Sequence, residues 1–424
     1  MDASNVTNAV ARPRNQWAAL ATSSFWIAVI AFALRLGLIF FGHTYKFYNH
    51  NHNFSFGWEM GSIGRSLAAG EGFSSPFGPE TGPTAWEPPL YPLLIAGVFQ
   101  VFGIYSLPSA VVLLILNSAF SALTCIPIFL IAQRCFDDDR VAIWTSWIWT
   151  LFPPVMAWAT RWVWETSFAT FLLAMIFWLT LVMEERDGWK QWLLFGFLWG
   201  VVGLTNTSLL SFLPASALWI WYHRWNRAKK SLVGMVLASL IFAACVTPWL
   251  FRNYQTFGKF IFIRSNFGAE LRLGNGPGAD GTWQQQLHPT QNLVEMARYK
   301  TLGEIAYVNT RKHEAVEFIR EDYGRFFALC VKRFIYYWTG IPRSSAKIAS
   351  TVFRNAAYWM SSVLALWGLV RGLRKRQRGA WLFFWLILIY PAVYYVVFPH
   401  PRYRHPIEPE LGILMVYGVV KRCK

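Results

Sequence analysis

From Phe25 to its last residues the chain returns repeatedly to apolar stretches, several of which reach the roughly 20 residues that a helix needs to cross the hydrocarbon layer of a bilayer. With 55% hydrophobic and 18% aromatic residues and only 14% charged, 424 residues carry too much apolar surface for one ordinary soluble core. The expected fold class is all-α: a polytopic membrane helical bundle. The first apolar run follows the polar leader MDASNVTNAVARPRNQW and shows no small-residue cleavage pattern, so it reads as a retained span.

The formal charge of +17 could suit nucleic acid, but the basic residues gather in short connectors between apolar runs: HRWNRAKK (223–230), RGLRKRQR (371–378) and KRCK (421–424). That is the pattern of connectors held on the cytoplasmic side, and it excludes nucleic acid as the expected partner. Alternation then gives about ten transmembrane helices, at 24–42, 107–132, 141–159, 166–183, 190–204, 208–222, 231–250, 356–370, 380–397 and 408–420, with both termini cytoplasmic. The stretch LYPLLIAGVFQVFG (90–103) is short for a span and reads as an interfacial helix on the outer surface.

Three regions follow. Residues 1–250 form an N-terminal transmembrane module with an outer loop, 43–106, carrying juxtamembrane helices; 251–355 form a mainly helical extracytoplasmic segment; 356–424 supply the C-terminal transmembrane helices. Within the second, GEIAYVNTRKHEAVEFIREDYGRFFALCVKRFIYYWTG has the spacing of amphipathic helices, and the glycine-rich LRLGNGPGADG (271–281) reads as a loop.

Polar groups collect on the outer side. Glu59 stands on a short helix expected over Trp58–Ala68, stopped by Gly70 and Gly72, which could hold its carboxylate over the mouth of a cavity; a solvated loop acid has the same spacing. Glu87 precedes Pro88 and Pro89, and Glu165 lies beside Arg161 at the outer end of a span, where a border ion pair is the simpler reading. Arg252 leaves the membrane in TPWLFRNY, and FPHPRYRHPIEPE (398–410) places Arg402, Arg404 and His405 among prolines. Arginines at this level can anchor a helix to lipid headgroups or can hold a phosphate in the fork of their guanidinium groups. Arg35, inside the first span, needs a polar cavity or a partner unless it reaches the interface; with Arg65 and Tyr403 it is a further candidate to line such a cavity.

Other signals point elsewhere. His43, His50 and His52 lack the carboxylate or cysteine partners of a recognisable metal site, so no metal and no cofactor is indicated, although a divalent ion is compatible. The acids Asp137, Asp138 and Asp139 fall on the cytoplasmic side, opposite Glu59. Cys125, Cys135, Cys245, Cys330 and Cys423 show no disulfide framework. The sequons Asn53-Phe54-Ser55 and Asn206-Thr207-Ser208 matter only in a cell that glycosylates them.

Taken in order, IGRSLAAGEGF (63–73), GPTAWEPPLYPLLIAGVFQVFG, TPWLFRNYQTFGKFIFIRSNFGAELRLGNGPGA (247–279) and FPHPRYRHPIEP (398–409) resemble the C-type membrane glycosyltransferases, in particular the bacterial relatives of dolichyl-phosphate-mannose protein mannosyltransferases and of aminoarabinose transferases. The resemblance implies a cell-membrane enzyme that transfers a hexose or pentose from a polyprenyl-phosphate donor to a lipid, protein or glycan acceptor on the outer face, by one displacement with inversion. It implies an acidic base in the first outer loop, most simply Glu59, and basic residues on the donor phosphate, drawn from Arg402, Arg404, His405 and Arg252. Relatives commonly carry Asp, often Asp-Glu, a few residues before the matching acid, where this chain reads FSFG, so Glu87 and Glu165 stay open as the base. Their usual Arg-Pro after the fifth span is here replaced by NTS (206–208). A transporter or flippase of lipid-linked saccharides would also want arginines around a phosphate, and a polymerase or ligase of such glycans would share the architecture.

Overall fold

The computed structural model describes residues 21–47, 54–136, 138–186, 188–227, 231–342 and 348–420. The leader, His50, His52, Asn53, Asp137 and Cys423 lie outside them. The described residues are overwhelmingly helical, and the one bridge among them outside helices pairs Ser74 with Pro83.

The apolar runs form helices whose ends follow local chemistry. The first is α1 (Ser24–Phe41). The outer loop that follows it holds α2 (Glu59–Ala68) and α3 (Leu90–Phe102), which pack on each other. Next come α4 (Leu107–Leu123), capped by the Ser106 hydroxyl at the Ser109 amide, and α5 (Cys125–Phe136), which prolongs it beyond a break at Thr124. The expected span 141–159 is in fact two helices, α6 (Asp139–Leu151) and α7 (Pro153–Arg161): the consecutive prolines 153 and 154 cannot supply amides to a continuing helix and restart it instead. Then follow α8 (Thr166–Met183), α9 (Trp189–Gly203), α10 (Leu213–Trp225) and α11 (Leu232–Phe257).

The segment after α11 contains α12 (Phe267–Gly274), α13 (Leu293–Leu302), α14 (Glu304–Glu321) and α15 (Tyr323–Thr339). Residues 271–274, expected as loop, finish α12, because Ala269, Glu270, Leu271 and Arg272 are good helix formers ahead of the glycines. The chain closes with α16 (Ile348–Arg374), α17 (Ala380–Ile389), α18 (Ala392–Val396), α19 (Pro401–Arg404) and α20 (Glu408–Val419). In α16 Gly368 lets the backbone of α20 approach at the Leu414 carbonyl, a contact that a Cβ would block.

Among the described residues four helical stretches are long and apolar enough to cross a membrane: α1, α4 with α5, α8 and α11. Leu90–Phe102 and Ala380–Val396 are shorter apolar helical segments. Arg35 is fully buried in α1 and lines neither of the cavities described below. It donates to Ser121 Oγ at 3.1 Å, to the Ala31 carbonyl at 2.9 Å and to the Trp149 carbonyl at 3.3 Å, tying α1 to α4 and α6.

The segment after α11 is fastened to the loop between α1 and α4 by buried polar staples. The Glu304 carboxylate accepts from the Thr84 hydroxyl, the Ala85 amide at 2.7 Å, the Ser265 hydroxyl at 2.7 Å and the Tyr299 hydroxyl at 2.9 Å. Arg252 donates to the Thr84 carbonyl at 2.6 Å and the Phe73 carbonyl at 2.7 Å, with its guanidinium over the Trp249 ring at 4.8 Å. These contacts set the register of α12 and the following loop against α2.

Candidate active site

The chain enters α2 through a strained corner. Gly57 has φ +84° and Trp58 φ +46°, a region that side chains rarely occupy, and a Cβ on Gly57 would collide with the Val163 carbonyl. The Val163 amide in turn donates to the Ser55 carbonyl at 3.0 Å, so the start of α2 is sewn to the segment leading into α8. Glu59, the first residue of α2, and Glu165, the residue before α8, are both close enough to Glu87 for their charges to act on it.

Two cavities adjoin there. One, of about 320 Å³, is lined by Glu59, Glu270, His288 and a set of tryptophans. The other, of about 330 Å³, is lined by Glu87, Glu165, Asn206, Ser208 and Arg264 among others. Glu270, Arg402 and Tyr403 line both and form their common wall.

The charges are arranged in layers. His288 Nε2 lies 3.2 Å from Glu59 Oε1, while its Nδ1 lies 2.7 Å from the Thr290 hydroxyl and 3.3 Å from the Thr290 amide, contacts that hold the ring with Nε2 aimed at the carboxylate. Arg264 pairs with Glu87 at 3.0 Å and stands 3.9 Å from Glu270. Glu165 Oε1 accepts from Asn206 Nδ2 at 3.3 Å, whereas its Oε2 is buried without a partner; Arg161, the expected ion-pair partner, is exposed. Arg402 stacks on Trp164 at 3.8 Å, and its Nη1 is buried with no hydrogen-bond acceptor.

Burial alone would raise the Glu59 carboxyl, but the His288 hydrogen bond and charge, with Arg402 behind them, pull it below the ordinary glutamate value. Burial raises Glu87 to about 8, with Arg264 opposing and the Glu59 and Glu165 charges adding to the rise. Glu270 is also raised by burial. Burial would lower Arg402, yet Tyr403, Glu165 and Glu87 hold its guanidinium firmly protonated. Of the acids Glu59, Glu87 and Glu270, Glu59 is the one drawn below the ordinary glutamate value.

Of the residues singled out in the sequence, Glu59, Glu87, Glu165, Arg402 and Tyr403 come together, and the others do not. Arg404 turns away from both cavities: it is fully buried and donates to the Trp338 and Tyr358 carbonyls at 3.2 and 3.0 Å, to Ser361 and Ser362, and pairs with Glu408 at 2.8 Å. On a helix as short as α19, side chains two positions apart point to different sides, so Arg402 and Arg404 cannot both face one cavity. His405 packs against Trp149, Arg252 staples the outer loop, and Arg65 pairs with Glu71 at 2.9 Å near the surface. Arg264, Glu270 and His288 were not singled out. The first two lie in a stretch whose motif was legible; their arrival at Glu59 depends on staples between distant parts of the chain.

The described residues thus form a helical bundle in which buried carboxylates stand close to guanidinium groups. Residues 86–251 match the family described as dolichyl-phosphate-mannose-protein mannosyltransferase, so the resemblance seen in the motifs is borne out. The fold is similar to that of the oligosaccharyltransferase of Archaeoglobus fulgidus, tethered with an acceptor peptide containing the NVT sequon: 14% identity, TM-score 0.55, covering 93% of this chain and 49% of that one. It is also similar to the same organism's AglB in complex with an inhibitory peptide and a dolichol-phosphate, at 12% identity and TM-score 0.52, covering 93% of this chain and 50% of that one. ArnT from Cupriavidus metallidurans bound to undecaprenyl phosphate aligns at 12% identity and TM-score 0.40, over 96% of this chain and 77% of that one. The chain thus spans about half the length of the archaeal enzymes. No curated protein matches it by sequence.

Proposed function

We infer that the chain is a membrane glycosyltransferase that moves a hexose or pentose from a polyprenyl-phosphate donor to an acceptor in a single displacement with inversion. The observation that carries this reading is Arg402, a cation fixed in the wall common to both cavities with one guanidinium nitrogen left without an acceptor. With Arg264 it would hold the donor phosphate, where its fork matches two phosphate oxygens and answers the charge that grows as the phosphate leaves. Asn206, Ser208 and Ser211, on the same side as Arg264, offer neutral donors around it.

Glu59 takes the proton of the acceptor hydroxyl or amine as that group attacks the anomeric carbon. The bond from the anomeric carbon to the phosphate oxygen breaks, its electron pair stays on the lipid phosphate, and the new glycosidic bond forms on the opposite face. His288 is a positioning residue that holds Glu59 ionised and aimed. Glu87 and Glu165 line the other cavity, close to the proposed phosphate position, where they would orient Arg264 and the sugar.

The basic connectors favour cytoplasmic termini and a site on the outer face, served by a donor whose tail never leaves the bilayer. The experiment is a transfer assay in membranes with polyprenyl-phosphate sugars as donors. R402Q is expected to raise the KM for donor about ten- to a hundredfold, as loss of a charged hydrogen bond would, and to leave the KM for acceptor near its original value. An unchanged donor dependence would remove Arg402 from the phosphate site.

A further inference from the structure

The two cavities differ in chemistry, and the difference bears on the acceptor. The cavity holding Glu59 is walled by Trp58, Trp158, Trp162, Trp164 and Trp283, with Phe398 beside them. Trp158 and Trp162 lie 6.4 Å apart at 43° and Trp58 and Trp283 5.9 Å apart at 80°, so their indole faces meet the space from several directions. Trp158, Trp162 and Trp283 are only half-buried. The polar side chains that line this aromatic box are Glu59, Glu270, His288, His400, Arg402 and Tyr403.

Resting on the transferase reading above, we propose that this cavity binds the acceptor and that the acceptor presents a neutral pyranose ring. Such a ring has C–H bonds on its faces and hydroxyls around its rim. The faces pack on the electron-rich faces of indoles, and the rim donates hydrogen bonds to carboxylates, so one ligand uses both kinds of wall at once. An isoprene chain would set the Glu59 and Glu270 carboxylates against hydrocarbon and offer no hydrogen bond to their remaining lone pairs, which is costly. A phosphate meets carboxylates in either cavity, and the other one offers it two guanidinium groups, Arg264 and Arg402, against Arg402 alone here. At about 320 Å³ the space is at the small end of ligand pockets, enough for a sugar ring and short of an extended peptide. The hydroxyl that attacks is then the one over Glu59, and its proton passes to that carboxylate.

The test uses the full chain in lipid nanodiscs, so that no sugar-based detergent competes. Saturation-transfer NMR is recorded with methyl glucoside, mannoside, galactoside and N-acetylglucosaminide, and undecaprenyl phosphate binding is measured on the same samples by thermal shift. The expected result is saturation of the ring C–H protons of at least one glycoside, weakened at least tenfold in W283A and W162A and partly kept in W283F and W162F. Undecaprenyl phosphate should stabilise these variants as it does the parent and should fail to stabilise R402Q. If the lipid phosphate binds and no glycoside does, the acceptor proposal falls while the transferase reading stands. Loss of lipid binding in the tryptophan variants with R402Q unaffected would make the box a lipid-tail site and also overturn it. If neither ligand binds, both readings fall.

Discussion

Glu59 and Glu87 are the same side chain in two electrostatic settings, and the settings assign their chemistry. A base must be ionised when it acts; Glu59 is drawn below its ordinary value of 4.5 by His288, whereas burial lifts Glu87 to about 8. With Glu59 as base, kcat/KM falls only below about pH 4.5 on the acid side. An acid limb centred near pH 8 would transfer the role to Glu87. Replacing His288 by Phe removes the hydrogen bond that depresses Glu59, so the limb should move to higher pH and kcat should fall; a limb that stays in place would make His288 merely structural. E59Q keeps shape and removes the base, and transfer is expected to drop about 10²- to 10⁴-fold, with the melting temperature close to the parent's. R404A should behave in the opposite manner. Its cation is spent on protein partners, and breaking a buried pair costs about 3–5 kcal/mol, so the melting temperature falls and the donor KM of the surviving protein is unchanged. The sequence displayed Arg402 and Arg404 as equivalent, and only the side of α19 on which each emerges separates them.

At the level of elements, the corner before α2 and the staples beneath the outer segment decide whether these side chains meet. G57A adds a Cβ at positive φ against the Val163 carbonyl; a cost of about 1–3 kcal/mol and a matching loss of activity are expected, measured by melting and by transfer assay. E304A strips acceptors from Thr84, Ser265, Tyr299 and the Ala85 amide, and limited proteolysis should then cut the loop around residues 275–292 faster than in the parent. An unchanged cleavage rate would mean that the segment is held by its apolar contacts alone. Helix type and rough position were legible for most of the bundle, since apolar runs of such length have few other fates. Glu59, Glu87 and Glu165 were legible too, as acids in loops at the ends of apolar helices. The arrival of His288 and Arg264 was not, because it rests on contacts such as Thr84 with Glu304, which are 220 positions apart and leave no local pattern. The break between α6 and α7 was written plainly in Pro153 and Pro154 and lay within a run that hydropathy alone joins.

For the whole molecule, the order of translation carries a consequence for biogenesis. Glu59, Glu87 and Glu165 all emerge from the ribosome long before Arg402, the cation that both cavities share. Until α19 docks, the nascent bundle holds acidic side chains in a half-built cleft that only a later part of the chain completes. A ribosome stalled ahead of His400 would leave a product with much of its membrane bundle and the Arg264–Glu87 and His288–Glu59 pairs but without the shared cation, a natural substrate for membrane quality control.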